Sequence, residues 1–183
     1  MERLYGEQVY LRPITEEDTD DIIRWRNSEA VRPYFIYQQP FTREGHLNWL
    51  KNMIYSGRGY QFIVCMLEDD KPIGSTFLRD HDKEHNKIEY GMFLGSDDIK
   101  GKGIGREICR LTWKFAFEEL GVHKIFSRIL ADNMASRRSC ERAGMIEEAY
   151  LKDDVRINGE YRDLVWLSVI NSNHTEKTED VEE

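Results

Sequence analysis

Cysteine is scarce in this chain: three residues among 183, Cys65, Cys109 and Cys140. They are odd in number and form no C-x-x-C pair, so neither a disulfide framework nor a thiolate metal site is expected, and reduced, mostly buried thiols are the plain reading. No apolar run reaches the length of a membrane span, and the opening MERLYGEQVYLRP lacks the basic-then-apolar layout of a secretion signal. A cytoplasmic protein with no membrane partner is therefore expected. Positive charge is also in deficit, with 26 Lys and Arg against 34 Asp and Glu and a formal charge of -8, which argues against broad affinity for nucleic acid or anionic lipid. Part of that deficit is local. From Asn171 the chain reads NSNHTEKTEDVEE, where acids far outnumber the one lysine and almost nothing is apolar. Residues 171–183 are expected to be an acidic disordered tail on a single domain spanning 1–170. His81 and His85 have the i, i+4 spacing of a helical metal pair, but they lie in the polar stretch RDHDKEHNK and read as a solvated loop, so no metal is expected.

What is present alternates between strand and helix. Val9 to Ile14 reads as a strand, followed by a helix that Thr15 and Asp18 can open as a capping box. A second helix after Thr42 places Leu47, Leu50 and Ile54 on one face. Between them, Ala30 to Phe41 is rich in aromatics and broken by two prolines; core or loop packing and a substrate-facing wall are both open to it. Tyr60 to Leu67 and Ile73 to Leu78 read as an antiparallel hairpin, and KIEYGMFLG alternates as a further strand. A long amphipathic helix from Ile104 ends at Gly121, a strand covers Lys124 to Ala131, and a helix from Asn133 stops at Gly144. Met145 to Leu151 and Leu164 to Ile170 look like strands joined by the loop KDDVRINGEYRD, with a turn at Asn158-Gly159. The order implies an α/β (α+β) domain: a mixed central sheet of about seven strands with helices on both faces.

The segment richest in chemistry is DIKGKGIGRE, set after an alternating strand and before the long helix. Gly101, Gly103 and Gly105 let the backbone turn sharply and aim successive amides into one concavity, where the helix N-terminus adds partial positive charge. Lys100, Lys102 and Arg106 surround it with full charges, which suits a diphosphate better than a single carboxylate. The string G-x-x-x-x-G-K-[ST] of a phosphoryl-transfer loop does not occur, and counting a dinucleotide fingerprint from Gly101 puts Arg106 where the third glycine belongs.

At these residues the sequence resembles the GNAT acetyltransferase superfamily, and the resemblance runs from Val9 to Ile170. The family signature, an Arg or Gln, two residues, Gly, one residue and Gly or Ala, reads here as Lys100, Gly101, Lys102, Gly103, Ile104 and Gly105. Lysine in the first place departs mildly from it. The resemblance implies a sheet splayed in its middle and acetyl-CoA as cosubstrate, with its pyrophosphate gripped by the loop from Lys100 to Arg106. Met92, Phe93 and Leu94 match the strand that lends amides to the pantetheine arm, an amide near Phe93 or Leu94 being the expected oxyanion donor. Asn133, Ser136, Glu141 and Gly144 match the family's next stretch. Asn133 would bond the pantetheine, although an N-cap role alone needs no ligand.

The same resemblance implies catalytic roles. Family members often carry a glutamate that takes the amine proton through water, and Glu89 matches it. The tyrosine many relatives use as general acid is replaced by Cys140. A thiol in the early turns of a helix can have its pKa lowered by the dipole, so Cys140 could protonate the leaving sulfur, while a packing role fits it equally. The termini look most like the RimJ/RimL-type branch and also resemble spermidine acetyltransferases, while Trp25, Arg26 and Asn27, followed by His46, Leu47 and Asn48, resemble nucleotide-linked amino-sugar acetyltransferases, so the implied acceptor is a primary amine: a protein N-terminus, a polyamine or an amino sugar. Its cleft is expected between Ala30 to Phe41 and Lys152 to Arg162, with Arg32, Phe35, Tyr37 and Tyr161 as substrate-binding residues. A non-catalytic acyl-CoA-binding module is the alternative, and exposed strand edges would allow a homodimer.

Overall fold

The computed structural model describes residues 2–95 and 101–172. The tail from residue 173 and Lys100 lie outside them. Within the described residues a single eight-stranded sheet has the order β1-β2-β3-β4-β5-β6-β8-β7. In chain order its strands are β1 (Leu4–Tyr5), β2 (Val9–Pro13), β3 (Tyr60–Met66), β4 (Pro72–Asp82), β5 (Lys87–Leu94), β6 (Lys124–Leu130), β7 (Ile146–Ile157) and β8 (Glu160–Ile170). The helices are α1 (Thr19–Asn27), α2 (Arg43–Trp49), α3 (Ile104–Glu118) and α4 (Met134–Ala143). The strand beyond the expected seven is the two-residue β1, too short to leave a periodic signal.

Side-chain alternation on the central strands builds two cores. Val9 and Leu11 of β2 and Phe62 and Val64 of β3 pack with Ile104, Ile108 and Trp113 of α3 on one face. Their neighbours Tyr10, Ile63 and Cys65 pack with Ile22 and Trp25 of α1 and with Leu50 on the other. β3 is therefore buried on both sides, which explains its near-continuous apolar run. Phe62 and Leu11 have no exposed surface, and each such side chain contributes about 1.5–3 kcal/mol of burial.

Local chemistry sets the element ends. The Thr15 N–H donates to the Asp18 carboxylate at 2.9 Å, and Thr42 caps α2 by accepting from the Gly45 amide at 3.1 Å. The second helix continues past α2 as one wider π-helical turn, Leu50–Ile54. Glu107 of α3 ties the N-terminal turn to the body, its Oε1 accepting from the amides of Glu7 and Gln8 at 2.5 and 2.9 Å.

Two stretches expected as loops are strand instead. RDHDKEHNK is the end of β4, a tight turn and the start of β5, and most of KDDVRINGEYRD belongs to the β7–β8 hairpin. Both pairings are irregular, between Arg79 and Asp82 in one and between Leu151 and Val155 in the other. A bulge and a polar surround remove the period-two pattern while the ladder continues. Asn158 and Gly159, at φ 51 and 92°, close the second hairpin in the doubly left-handed geometry of a type I′ turn.

Candidate active site

Between β5 and β6 the sheet comes apart. The two strands pair in parallel only from Lys87–Lys124 to Glu89–Phe126, and beyond that point β5 runs on to Leu94 paired with β4. Ser127 marks the parting, its hydroxyl donating to the Tyr90 carbonyl at 2.7 Å. The Gly95 amide reaches back across β4 to the Ile73 carbonyl at 2.8 Å. Strand alternation then turns Phe93 toward β4 and leaves the amides of Met92 and Leu94 facing the gap.

At the mouth of the gap stands the glycine-rich turn. Gly101 and Gly103 sit at φ 83 and 82°, a conformation only glycine enters without strain, and among the described residues, chain neighbours aside, no heavy atom lies within 4 Å of where either Cβ would be. Gly103 precedes α3 and its carbonyl accepts from the amides of Arg106 and Glu107 at 3.0 and 3.2 Å. The amides of Ile104 and Gly105 remain at the open end of the helix. Gly105 has a different task from the one its spacing suggested. It is helical, and a Cβ there would come within 2.7 Å of the Ser139 hydroxyl, so its bareness lets α4 approach α3. Asn133 caps α4 through Oδ1, which accepts from the Ser136 amide at 3.2 Å.

A cavity of about 880 Å³ joins these parts, running from Gly101, Gly103–Arg106, Asn133 and Ser136 past Met92, Phe93 and Leu94 to an aromatic end that holds Phe35, Tyr37 and Phe41. Glu89 lines it and is only 3 % exposed. Its carboxylate takes hydrogen bonds from Arg79 Nε at 3.0 Å and from Arg128 Nε and Nη2 at 3.1 and 2.9 Å. Burial pushes its pKa up, yet the Arg128 and Arg79 hydrogen bonds outweigh that and hold it below the usual carboxylate range. Glu89 is therefore held as a carboxylate of low basicity.

Several expected site residues are not brought to this cavity. Cys140 lies late in α4, 1 % exposed and absent from the lining. A hydrogen bond with Cys109 and burial both raise its pKa well above the ordinary thiol value. The expectation of an early-turn thiol made acidic by the dipole is thus corrected: the position is a core contact. Arg32 braces its own loop, donating to the Gln38 carbonyl at 2.9 Å. Tyr161 is 64 % exposed on the β7–β8 hairpin, beside Arg156 and outside the cavity lining. Lys102 is exposed and outside the lining.

Others line the cavity without having been expected as site residues: Gln61, Arg79 and Arg128, and also Arg26 and His46, which entered the sequence reading only through a family resemblance. For Arg26 a signal existed. It follows Ile22 by one helical turn, a place where the apolar stripe of α1 asks for a hydrophobic residue. Among the described residues no three His, Cys, Asp or Glu side chains form a metal-binding group, and no helix is long and apolar enough to cross a membrane.

A splayed sheet with free amides, leading from a helix-end anion cradle to an aromatic pocket, defines a coenzyme A-dependent acyltransferase, and comparison with known proteins gives the family. The chain belongs to the acetyltransferase (GNAT) domain family, whose model matches residues 8–146. It is 27% identical over 176 residues to the probable N-acetyltransferase YjcK of Bacillus subtilis, covering 92% of this chain and 97% of that one. It is 25% identical to a spermidine N(1)-acetyltransferase of Vibrio cholerae, covering 94% and 98%. Among solved structures, the ribosomal-protein-S5-alanine acetyltransferase of Vibrio fischeri superposes with a TM-score of 0.83 at 23% identity, over 96% of this chain and all of that one. The protein is an N-acetyltransferase that uses acetyl-CoA.

Proposed function

We propose that this enzyme acetylates a primary amine held between the aromatic loop and Glu89, and that the parting of β5 from β6 is the observation that carries this reading. Bound acetyl-CoA supplies an activated acetyl thioester. The chain's own residues hold and shield it. The helix-end amides and Arg106 grip the diphosphate, and the Met92 and Leu94 amides offer donors along the gap.

On the acceptor side, Arg79 and Arg128 hold the buried Glu89 carboxylate, and Arg26 lines the same cavity. Excess positive charge favours the neutral form of an incoming amine, which is the form that attacks. Glu89, weakly basic, serves as a fixed hydrogen-bond acceptor that orients the amine or its water, and the released proton passes to water. With Cys140 in the core and Tyr161 exposed and outside the cavity lining, the departing sulfur takes its proton from the amine or from solvent.

Incubation with acetyl-CoA and a panel of amines, following free thiol release, tests the reading. Amine-dependent thiol release is the expected result. Tight coenzyme binding without turnover across protein N-termini, polyamines and amino sugars would identify a binding module instead.

A further inference from the structure

Arg26 is the most unusual charge in the molecule. It is 8 % exposed, and its Nη1 is buried without a hydrogen-bond partner. Among the described residues no carboxylate pairs with it. Its guanidinium carbon lies over the rings of Phe35 and Phe41 at 3.1 and 4.4 Å, with Phe93 at 5.9 Å, and the side chain lines the cavity. Aromatic faces make the buried cation tolerable without neutralising it. Burial, followed by repulsion from Arg79, draws its pKa down to about 9. A guanidinium remains protonated at neutral pH in any case, so the site carries a permanent, unanswered positive charge.

The other polar groups nearby already have partners. Arg79 and Arg128 share Glu89, Gln61 accepts from Trp49 and donates to Ser75, and His46 Nδ1 meets Thr19 Oγ1. His46 Nε2 is buried without a partner, and it is a second polar atom on the same cavity wall. A polycation would meet Arg26, Arg79 and Arg128 here against the buried Glu89 and the exposed Asp80, both of which are already engaged by Arg79. An anionic group would supply what Arg26 lacks, and the planar guanidinium sandwiched by rings presents its edge to it.

Building on the acetyl-transfer reading, we infer that the acceptor is an amine that also bears an anionic group, a carboxylate or a phosphate, received by Arg26 in the aromatic end of the cavity. The relative that acetylates spermidine would then differ from this enzyme in the sign of charge its acceptor pocket receives.

The test uses matched acceptors with acetyl-CoA. One set pairs ω-amino acids of increasing length and aromatic α-amino acids with their carboxamides. Another contains phosphoethanolamine and glucosamine 6-phosphate beside ethanolamine and glucosamine, and spermidine completes the panel. The inference expects kcat/KM to favour the anionic member of some pair by about a hundredfold or more, with the carboxylate and phosphate arms showing which anion is used. Arg26→Met should bring that ratio down toward one and raise Tm, because an unpaired buried charge has been removed. Neutral or polycationic amines turned over as well as their anionic partners would overturn the inference while leaving acetyl transfer standing. So would an anion preference that Arg26→Met does not change. If no amine in the panel turns over, calorimetry with the N-acetylated products in the presence of coenzyme A decides: Arg26-dependent binding of the anionic products supports the inference, and equal binding of anionic and neutral products overturns it.

Discussion

Gly103 and Gly105 stand two residues apart and answer different physical demands. Gly103 is bare because of its left-handed backbone, with empty space where a side chain would go, and Gly105 because α4 presses against it. Gly105→Val should therefore lower Tm by forcing α3 and α4 apart, an overpacking cost of about 1–3 kcal/mol, readable by thermal unfolding without ligand. Glu89 makes a second case. Its folded pKa is depressed, so its contribution to stability is present above the unfolded value, about 4.3, and is lost as pH falls through the lower folded value. Glu89→Gln should cost about 2 kcal/mol near pH 7, less than a fully buried pair because Arg79 and Arg128 reach solvent, and the two proteins should converge in Tm below about pH 4. As a positioning group Glu89 should also lower kcat without moving the pH at which activity rises; a shifted rise would show that it is the base. At this scale the sequence was legible where chemistry and spacing coincide, as at Asn133. It was opaque where contact partners decide: the pairing of Glu89 with Arg79 and Arg128 depends on strand neighbours that no spacing reveals.

Among the elements, α3 could be read from its helical periodicity, α4 from its Asn133 cap and its Gly144 stop, and β3 from a near-continuous apolar run that serves both cores. The lengths of β4, β7 and β8 could not. Their outer halves pair through backbone ladders while their side chains face water, so hydrophobic alternation stops where the strand does not. Parting of β5 from β6 was expected only from the family resemblance, since a pairing that ends after Glu89 leaves no mark in composition. The two-residue turn at Asn158-Gly159 was legible as a turn, and its doubly positive φ makes a specific demand. Gly159→Ala should lower stability by about 1–2 kcal/mol and leave coenzyme A affinity unchanged, since this hairpin tip is remote from the glycine-rich turn. Denaturant unfolding together with calorimetry checks both halves of that statement.

For the whole molecule, one sheet sorts the functions by face and by edge. α3 and α4 bring the anion cradle to one side of the gap. α1, α2 and the aromatic loop line the proposed acceptor pocket on the other, and one cavity that passes the opening between β5 and β6 joins the two. The net negative charge of the chain and the arginine-rich interior of its pocket point in opposite directions, which is why bulk composition said little about the acceptor. Calorimetric titration of coenzyme A into the parent protein and into Gly103→Ala tests the central claim most directly. One site per chain is expected in the parent and about five- to thirtyfold weakening in the variant, since about 1–2 kcal/mol of backbone strain falls on the cradle itself. Undetectable binding to the parent, or equal affinity in a folded Gly103→Ala, would contradict it.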